Sequence, residues 1–183
     1  MIAPLMVAIA IFAAAVVSSC KKDKCSGVDC LYGGSCNSGS CKCVAGTGGA
    51  NCSTIYRAGF SGNTYSGSGS DNDTPPLTLQ NYQATFIAPA DKNYAGMQLS
   101  TQYLNASGNY VPHFTANITL SNCSATGCSF DIVPIVSGAG FRISGSGTIS
   151  AGSVSLTVIE ADTATSGYVQ PTLTYTFSSL AKQ

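Results

Sequence analysis

The sequence predicts an all-β protein in which a small cysteine-stapled module precedes an antiparallel β-barrel or sandwich of about eight strands. Two observations lead to this prediction. Six cysteines crowd between residues 25 and 52, a density typical of disulfide-bonded modules in oxidising compartments. From residue 60 onward, short runs of alternating apolar and polar residues are separated by turn residues, which is the pattern of strands with one buried face.

The leader at residues 1–17 is almost wholly apolar and is followed by Ser18-Ser19-Cys20. A membrane-spanning anchor is one interpretation, because the stretch reaches the lower length limit for a spanning helix. Lysines follow it at positions 21, 22 and 24, so the positive-inside rule would place the rest of the chain in the cytoplasm. Disulfides do not persist there. A cleaved leader removes this conflict.

The residues Val17-Ser18-Ser19-Cys20 resemble the lipobox of bacterial lipoproteins. The resemblance implies a signal peptide at residues 1–19, a fatty-acylated Cys20 and a tether over residues 20–24. It also implies a place in the bacterial cell envelope, at the outer membrane, with the lipid on Cys20 as the membrane contact. Acylation would account for the odd total of nine cysteines, because eight would be left to pair.

The six clustered cysteines follow the spacing C-x4-C-x5-C-x4-C-x-C-x8-C. Spacing alone does not choose among the pairings that six cysteines allow. A segment this short buries too little apolar surface to hold itself together, so covalent bridges are expected. A zinc site is the alternative, but the cysteines do not form C-x2-C pairs and no histidine lies nearby.

This spacing, with Gly33-Gly34 before the third cysteine and Gly46 after the fifth, resembles an EGF-like module over residues 25–52. Calcium-binding members of that family carry acidic and aromatic residues that are missing here, so we expect no metal. The pairing implied by the resemblance is Cys25–Cys36, Cys30–Cys41 and Cys43–Cys52.

A short connection at residues 53–59 leads to the β domain at residues 60–183. Leu77, Leu79 and later Ile87 lie on one parity and Tyr82, Ala84 and Phe86 on the other, and this switch of alternation near Asn81 indicates a bulge. Pro134 indicates an edge strand or a bulge. Cys123 and Cys128 flank a turn between two runs, where we expect a further disulfide. The residues predicted to face the interior are Tyr82, Ala84, Phe86, Met97, Leu99, Thr101, Tyr103, Phe114, Ala116, Ile118, Leu120, Phe130, Ile132, Pro134, Val136, Val154, Leu156, Val158, Leu173, Tyr175 and Phe177.

The order of lipid cysteine, EGF-like module and β domain resembles a group of Bacteroidetes lipoproteins whose β domain is lipocalin-like or calycin-like. The strand motif at residues 145–149 belongs to this resemblance. Asp162-Thr163-Ala164 is similar to the three-residue O-glycosylation site of exported proteins in that bacterial group. A glycan on Thr163 is therefore predicted.

Chemistry-bearing residues are scarce. The formal net charge is zero, which argues against nucleic-acid binding. The single histidine, His113, alternates out of phase with Phe114 and is predicted to face solvent. Asp131 or Glu160 with a serine could serve it in catalysis only if folding formed a pocket around them. We expect no catalysis, no cofactor and no metal.

The predicted function is that of a membrane-anchored, non-catalytic surface binding, adhesion or scaffold protein, with other envelope proteins or glycans as partners. The alternative is a carrier that holds a small apolar ligand in a barrel cavity. Whether side chains fill the interior of the β domain distinguishes the two functions. Large side chains would fill a scaffold, the candidates being Phe86, Met97, Phe114, Leu156 and Phe177, whereas a carrier would keep a lined cavity.

Overall fold

The computed structural model describes residues 23–163 and 172–183. The leader, Cys20 and the start of the tether lie outside the described residues. No helix in the described ranges is long and apolar enough to cross a membrane. The strands are β1 (Ser35–Asn37), β2 (Ser40–Lys42), β3 (Thr47–Gly48), β4 (Thr54–Ile55), β5 (Thr64–Ser70), β6 (Thr78–Ile87), β7 (Gly96–Leu104), β8 (Tyr110–Ser121), β9 (Gly127–Val136), β10 (Phe141–Ser150), β11 (Ser153–Asp162) and β12 (Leu173–Lys182).

Strands β5 to β12 form a closed antiparallel barrel. The all-β prediction is confirmed, and of its two forms the barrel is the one that occurs. Each strand pairs with the next in sequence, and β12 pairs with β5 to close the ring. Alternation places one face of each strand inside; in β8, Phe114, Ala116, Ile118 and Leu120 are buried while the residues between them are exposed.

Aromatic side chains fill the middle of the barrel. Tyr82 stacks on Phe177 with ring centroids 4.0 Å apart. Phe86 meets Tyr65 and Phe130 edge to face, at 5.7 and 5.6 Å. A Cβ at Gly69 in β5 would overlap the Phe177 ring, so the glycines of this serine–glycine strand make room for large neighbours. The five residues predicted to fill a scaffold interior are all buried.

Two predicted irregularities of the ladder are present. Two residues of β6, the second being Asn81, lie opposite one residue of β5, and Asn81 has a positive φ of 51°. This confirms the bulge near Asn81. Two residues of β9, the second being Pro134, likewise lie opposite one residue of β10.

The prediction that Pro134 and Val136 face the interior is wrong. Both are exposed, Val136 by 65%, while Ile135 packs against the core. The extra residue at the bulge shifts the alternation by one position, so the side chains beyond it exchange faces.

The eight cysteines among the described residues form four disulfides, and their pairing is the predicted one. In the module, Cys25–Cys36, Cys30–Cys41 and Cys43–Cys52 have Cα–Cα distances of 5.8, 5.6 and 5.3 Å. In the barrel, Cys123–Cys128 joins the ends of a turn with a Cα–Cα distance of 4.1 Å. These eight sulfur atoms are covalently paired, which overrules the zinc alternative.

The connection at residues 53–59 is ordered. Strand β4 pairs with β3 of the module, and Tyr56–Gly59 form a 3₁₀ helix that leads into the barrel. Arg57 of this helix is buried and donates hydrogen bonds to the carbonyl oxygens of Asp91, Asn93 and Gly96. These contacts hold the module against the loop between β6 and β7.

The two ends of the barrel differ. The β6–β7 loop, at the end that contacts the module, carries Tyr94, whose ring lies 5.4 Å from that of Tyr32 in the module. At the other end lie the loops at residues 71–77, 105–109 and 137–140. We call this second end the mouth; it points away from the module.

Candidate functional site at the mouth of the barrel

A cavity of about 460 Å³ opens at the mouth. Its volume lies within the range of small-molecule sites. Apolar and aromatic side chains make up most of its wall, with a few polar groups among them. The lining residues are Leu77, Leu79, Tyr103, His113, Ser137, Gly138, Ala139, Phe141, Ile143, Glu160 and Tyr175.

A second concave region of about 700 Å³ lies between the module and the barrel. Its lining has one charged side chain, Lys92, beside Tyr32, Val44 and Tyr94. Because no acidic side chain or histidine lines this region, the mouth cavity is the better candidate for specific recognition of a ligand.

His113 faces the interior, and the prediction of a solvent-facing histidine is wrong. His113 and Phe114 of β8 lie together opposite Thr101 of β7, where the ladder shifts register. The Thr101 hydroxyl donates to the Phe114 carbonyl at 3.1 Å and accepts from the Phe114 amide at 3.2 Å, which satisfies the backbone there. Because of this bulge both neighbours turn inward, and the His113 side chain is only 14% exposed.

His113 links two other side chains in a hydrogen-bonded row. Its Nε2 lies 2.5 Å from Oε1 of Glu160, and its Nδ1 lies 3.0 Å from the hydroxyl oxygen of Tyr82. A carboxylate only accepts, so Nε2 carries the proton. In the neutral imidazole the Tyr82 hydroxyl then donates to Nδ1. We call Tyr82, His113 and Glu160 the polar row.

Burial keeps the phenols of this region protonated. Desolvation raises the pKa of Tyr82 well above its usual value, since the side chain is fully buried. The pKa of Tyr175 rises to about 12, through burial first and then through the nearby carboxylates of Glu160, Asp71 and Asp73. Both tyrosines are therefore hydrogen-bond donors at neutral pH.

Aromatic rings surround the histidine. Tyr103, Tyr175 and Phe114 meet it edge to face, with centroids 6.0, 5.7 and 5.1 Å away. Tyr103 and Tyr175 also line the cavity. Aromatic side chains and a carboxylate therefore lie together in the cavity wall.

The polar row differs from a nucleophile–base pair. Glu160 orients His113 as an acid would in a triad, and Ser137 lines the same cavity. Yet the second imidazole nitrogen meets Tyr82, whose hydroxyl is buried and carries a raised pKa. A nucleophilic side chain is activated by a lowered pKa or by an adjacent base that takes its proton. Ser137 instead accepts a hydrogen bond from the Phe141 amide at 3.2 Å. The absence of catalysis stays a prediction.

The remaining candidate residues are spread over the surface. Asp131 is exposed on the outer face of β9. Thr163 is exposed, and its hydroxyl donates to the Gly140 carbonyl; its glycosylation stays a prediction. Among the described residues no three His, Cys, Asp or Glu side chains lie close enough to hold a metal ion.

No family model matches the chain, and comparison with curated proteins and with solved structures gives no significant match. The resemblances to lipoproteins and to EGF-like and calycin-like domains stay predictions. Function is therefore inferred from the cavity and the side chains around it.

Proposed function

We propose that the barrel binds a small, largely apolar ligand in the mouth cavity, the alternative raised by the sequence. The observation that carries this proposal is the cavity of about 460 Å³, lined by Leu77, Leu79, Phe141 and Ile143. Sites of this size and lining bury most of a small molecule, and a few polar groups orient it. The polar row and Tyr175 supply those groups.

The distribution of the core supports a ligand site over a pure scaffold. Large side chains fill the barrel from the module end up to the Tyr82–Phe177 stack. At the mouth end, Ile143 and Tyr175 belong to the core and also line the cavity. An interior that served stability alone would gain from filling this space, because lining atoms beside a void lose their van der Waals contacts.

Leu79→Trp is expected to abolish binding of the neutral dye N-phenyl-1-naphthylamine. Leu79 lines the cavity, and a larger ring there would occupy the space that the dye needs. The unsubstituted protein should enhance the dye's fluorescence saturably, with one site per chain. A fluorescence titration measures both.

Ile87→Trp is the matched control, since Ile87 lies on the same strand but is 42% exposed on the outer face. It should bind the dye as the unsubstituted protein does. If the unsubstituted protein does not enhance the dye's fluorescence, or if Leu79→Trp and Ile87→Trp bind the dye equally, the mouth is not a ligand site.

We further propose that a lipid on Cys20 anchors the chain to the outer membrane of a bacterial envelope. The module follows Cys20 in the chain and contacts the end of the barrel opposite the mouth. An anchor on that side would hold the mouth away from the bilayer. Stable attachment needs two or more acyl chains, as the resemblance to lipoproteins implies.

Cys20→Ala should remove all incorporated fatty acid. Cells that express the chain and are fed a radiolabelled fatty acid should label the unsubstituted protein, whereas the variant should stay unlabelled, because the acyl acceptor is the Cys20 thiol. Equal labelling of the two proteins would rule out a lipid on Cys20.

Contact with another envelope protein or glycan is a second candidate function. It is favoured by three apolar side chains left exposed on the module, Leu31, Tyr32 and Val44, at 37%, 41% and 40%. This surface and the mouth are at opposite ends of the molecule. Leu79→Trp should therefore leave any such contact intact while it blocks the cavity.

A further inference from the structure

We infer that the mouth cavity selects ligands that carry a positively charged amine on a short hydrocarbon arm. This inference rests on the proposed ligand-binding function and adds the chemical class of the ligand. Three features support it: a carboxylate in the cavity wall, aromatic side chains beside it, and a surplus of acidic residues at the mouth.

Only one of the two carboxylate oxygens of Glu160 has a hydrogen-bond partner among the described residues. Its Oε1 accepts the hydrogen bond from His113, but no described residue bonds Oε2. Glu160 lines the cavity and its side chain is 14% exposed, so Oε2 is the oxygen left for a ligand. The polar row therefore presents a carboxylate oxygen that can accept a hydrogen bond from a ligand.

No lysine or arginine lines the cavity, and the one basic side chain there, His113, is already hydrogen-bonded to Glu160. A ligand carboxylate or phosphate would therefore meet the Glu160 carboxylate with no lysine or arginine to offset the repulsion. An ammonium group would meet an acceptor of opposite sign and donate to it, making a charge-assisted hydrogen bond.

Aromatic rings add a second attraction for a cation. Tyr103 and Tyr175 line the cavity on either side of His113, with centroids 6.0 and 5.7 Å from its ring. A cation within about 6 Å of such a ring face is attracted by the ring quadrupole. The hydrocarbon arm would lie along the aliphatic wall formed by Leu79 and Ile143.

The surface around the mouth also carries an excess of negative charge. Asp71, Asp73, Glu160 and Asp162 belong to this end of the barrel, and Arg142, exposed on the outer face, is its only basic residue in the described chain. The sequence of residues 164–171 contains no charged residue. Such an imbalance draws cations toward the opening and repels anions.

The test compares three probes of equal length: octylammonium, octanol and octanoate. Isothermal titration calorimetry at pH 7 should show octylammonium binding at least about tenfold tighter than octanol, with octanoate the weakest. This ranking needs no variant. Octanol or octanoate binding as tightly as octylammonium would overturn the inference and leave the proposed ligand site standing.

A variant then tests the role of Glu160. Glu160→Gln should lower octylammonium affinity to about that of octanol and leave octanol unchanged, because only the charge is lost. Asp131→Asn removes an equal charge from the outer face and should alter neither affinity. If Glu160→Gln keeps the preference for octylammonium, the inference is wrong. If neither the three probes nor the naphthylamine dye binds, the proposed ligand-binding function is wrong.

Discussion

Arg57→Ala is expected to lower the free energy of unfolding by about 3–5 kcal/mol. The guanidinium group is buried and donates hydrogen bonds to the carbonyl oxygens of Asp91 and Asn93, both at 2.6 Å, and of Gly96 at 3.1 Å. Alanine would leave these oxygens without a donor inside the junction. The Asp91 carboxylate is 55% exposed, so its ion pair with Arg57 adds little.

Urea unfolding followed by circular dichroism measures this loss. Arg142→Ala is the control, because Arg142 is exposed on the outer face of the barrel and its removal should change stability by less than about 0.5 kcal/mol. Without the Arg57 hydrogen bonds, the connection at residues 53–59 should also be cleaved sooner by proteases. Equal unfolding midpoints for the two variants would mean that the module does not depend on Arg57.

Phe86→Ala is the second change with a large expected effect, a loss of about 3–5 kcal/mol. Phe86 is fully buried and meets Tyr65 and Phe130 edge to face. The closed barrel cannot collapse around the missing ring, so both the transfer free energy and the contacts of the neighbours are lost.

The next residue along the chain provides the comparison. Ile87 is 42% exposed, so Ile87→Ala should cost less than about 1 kcal/mol. Two adjacent positions with such different costs are expected only where successive side chains of one strand face opposite sides. Similar losses in the same urea experiment would contradict the described register of β6.

The sequence predicted the strands and their inward faces because alternation with period two is a local signal. In the run from Met97 to Thr101 of β7 and the run from Phe114 to Leu120 of β8, alternate residues are buried, as the pattern indicates. The resemblance to EGF-like modules implied the three bridges of the module correctly, which spacing alone could not have done. What the alternation did not specify was whether the strands would close into one barrel.

The polar row at the mouth was missed because it depends on the register of the strands. Glu160 is 47 residues from His113, and no local pattern tells which strands bring them together. One signal was nevertheless available. Pro112 precedes His113, and a proline cannot donate to the ladder. Pro134 was interpreted as an edge or a bulge for that reason. The same interpretation of Pro112 would have turned His113 inward.

Closure of the barrel also sets the order in which the chain can fold. Every pairing between neighbouring barrel strands joins consecutive segments except that of β12 with β5, which brings together residues more than 100 positions apart, such as Ala181 and Ser66. Local hairpins bear a small loop-closure entropy, whereas this last pairing bears the largest. We therefore expect the β5–β12 ladder to form last. Until it does, both strands expose unpaired edges through which two unfinished chains can associate.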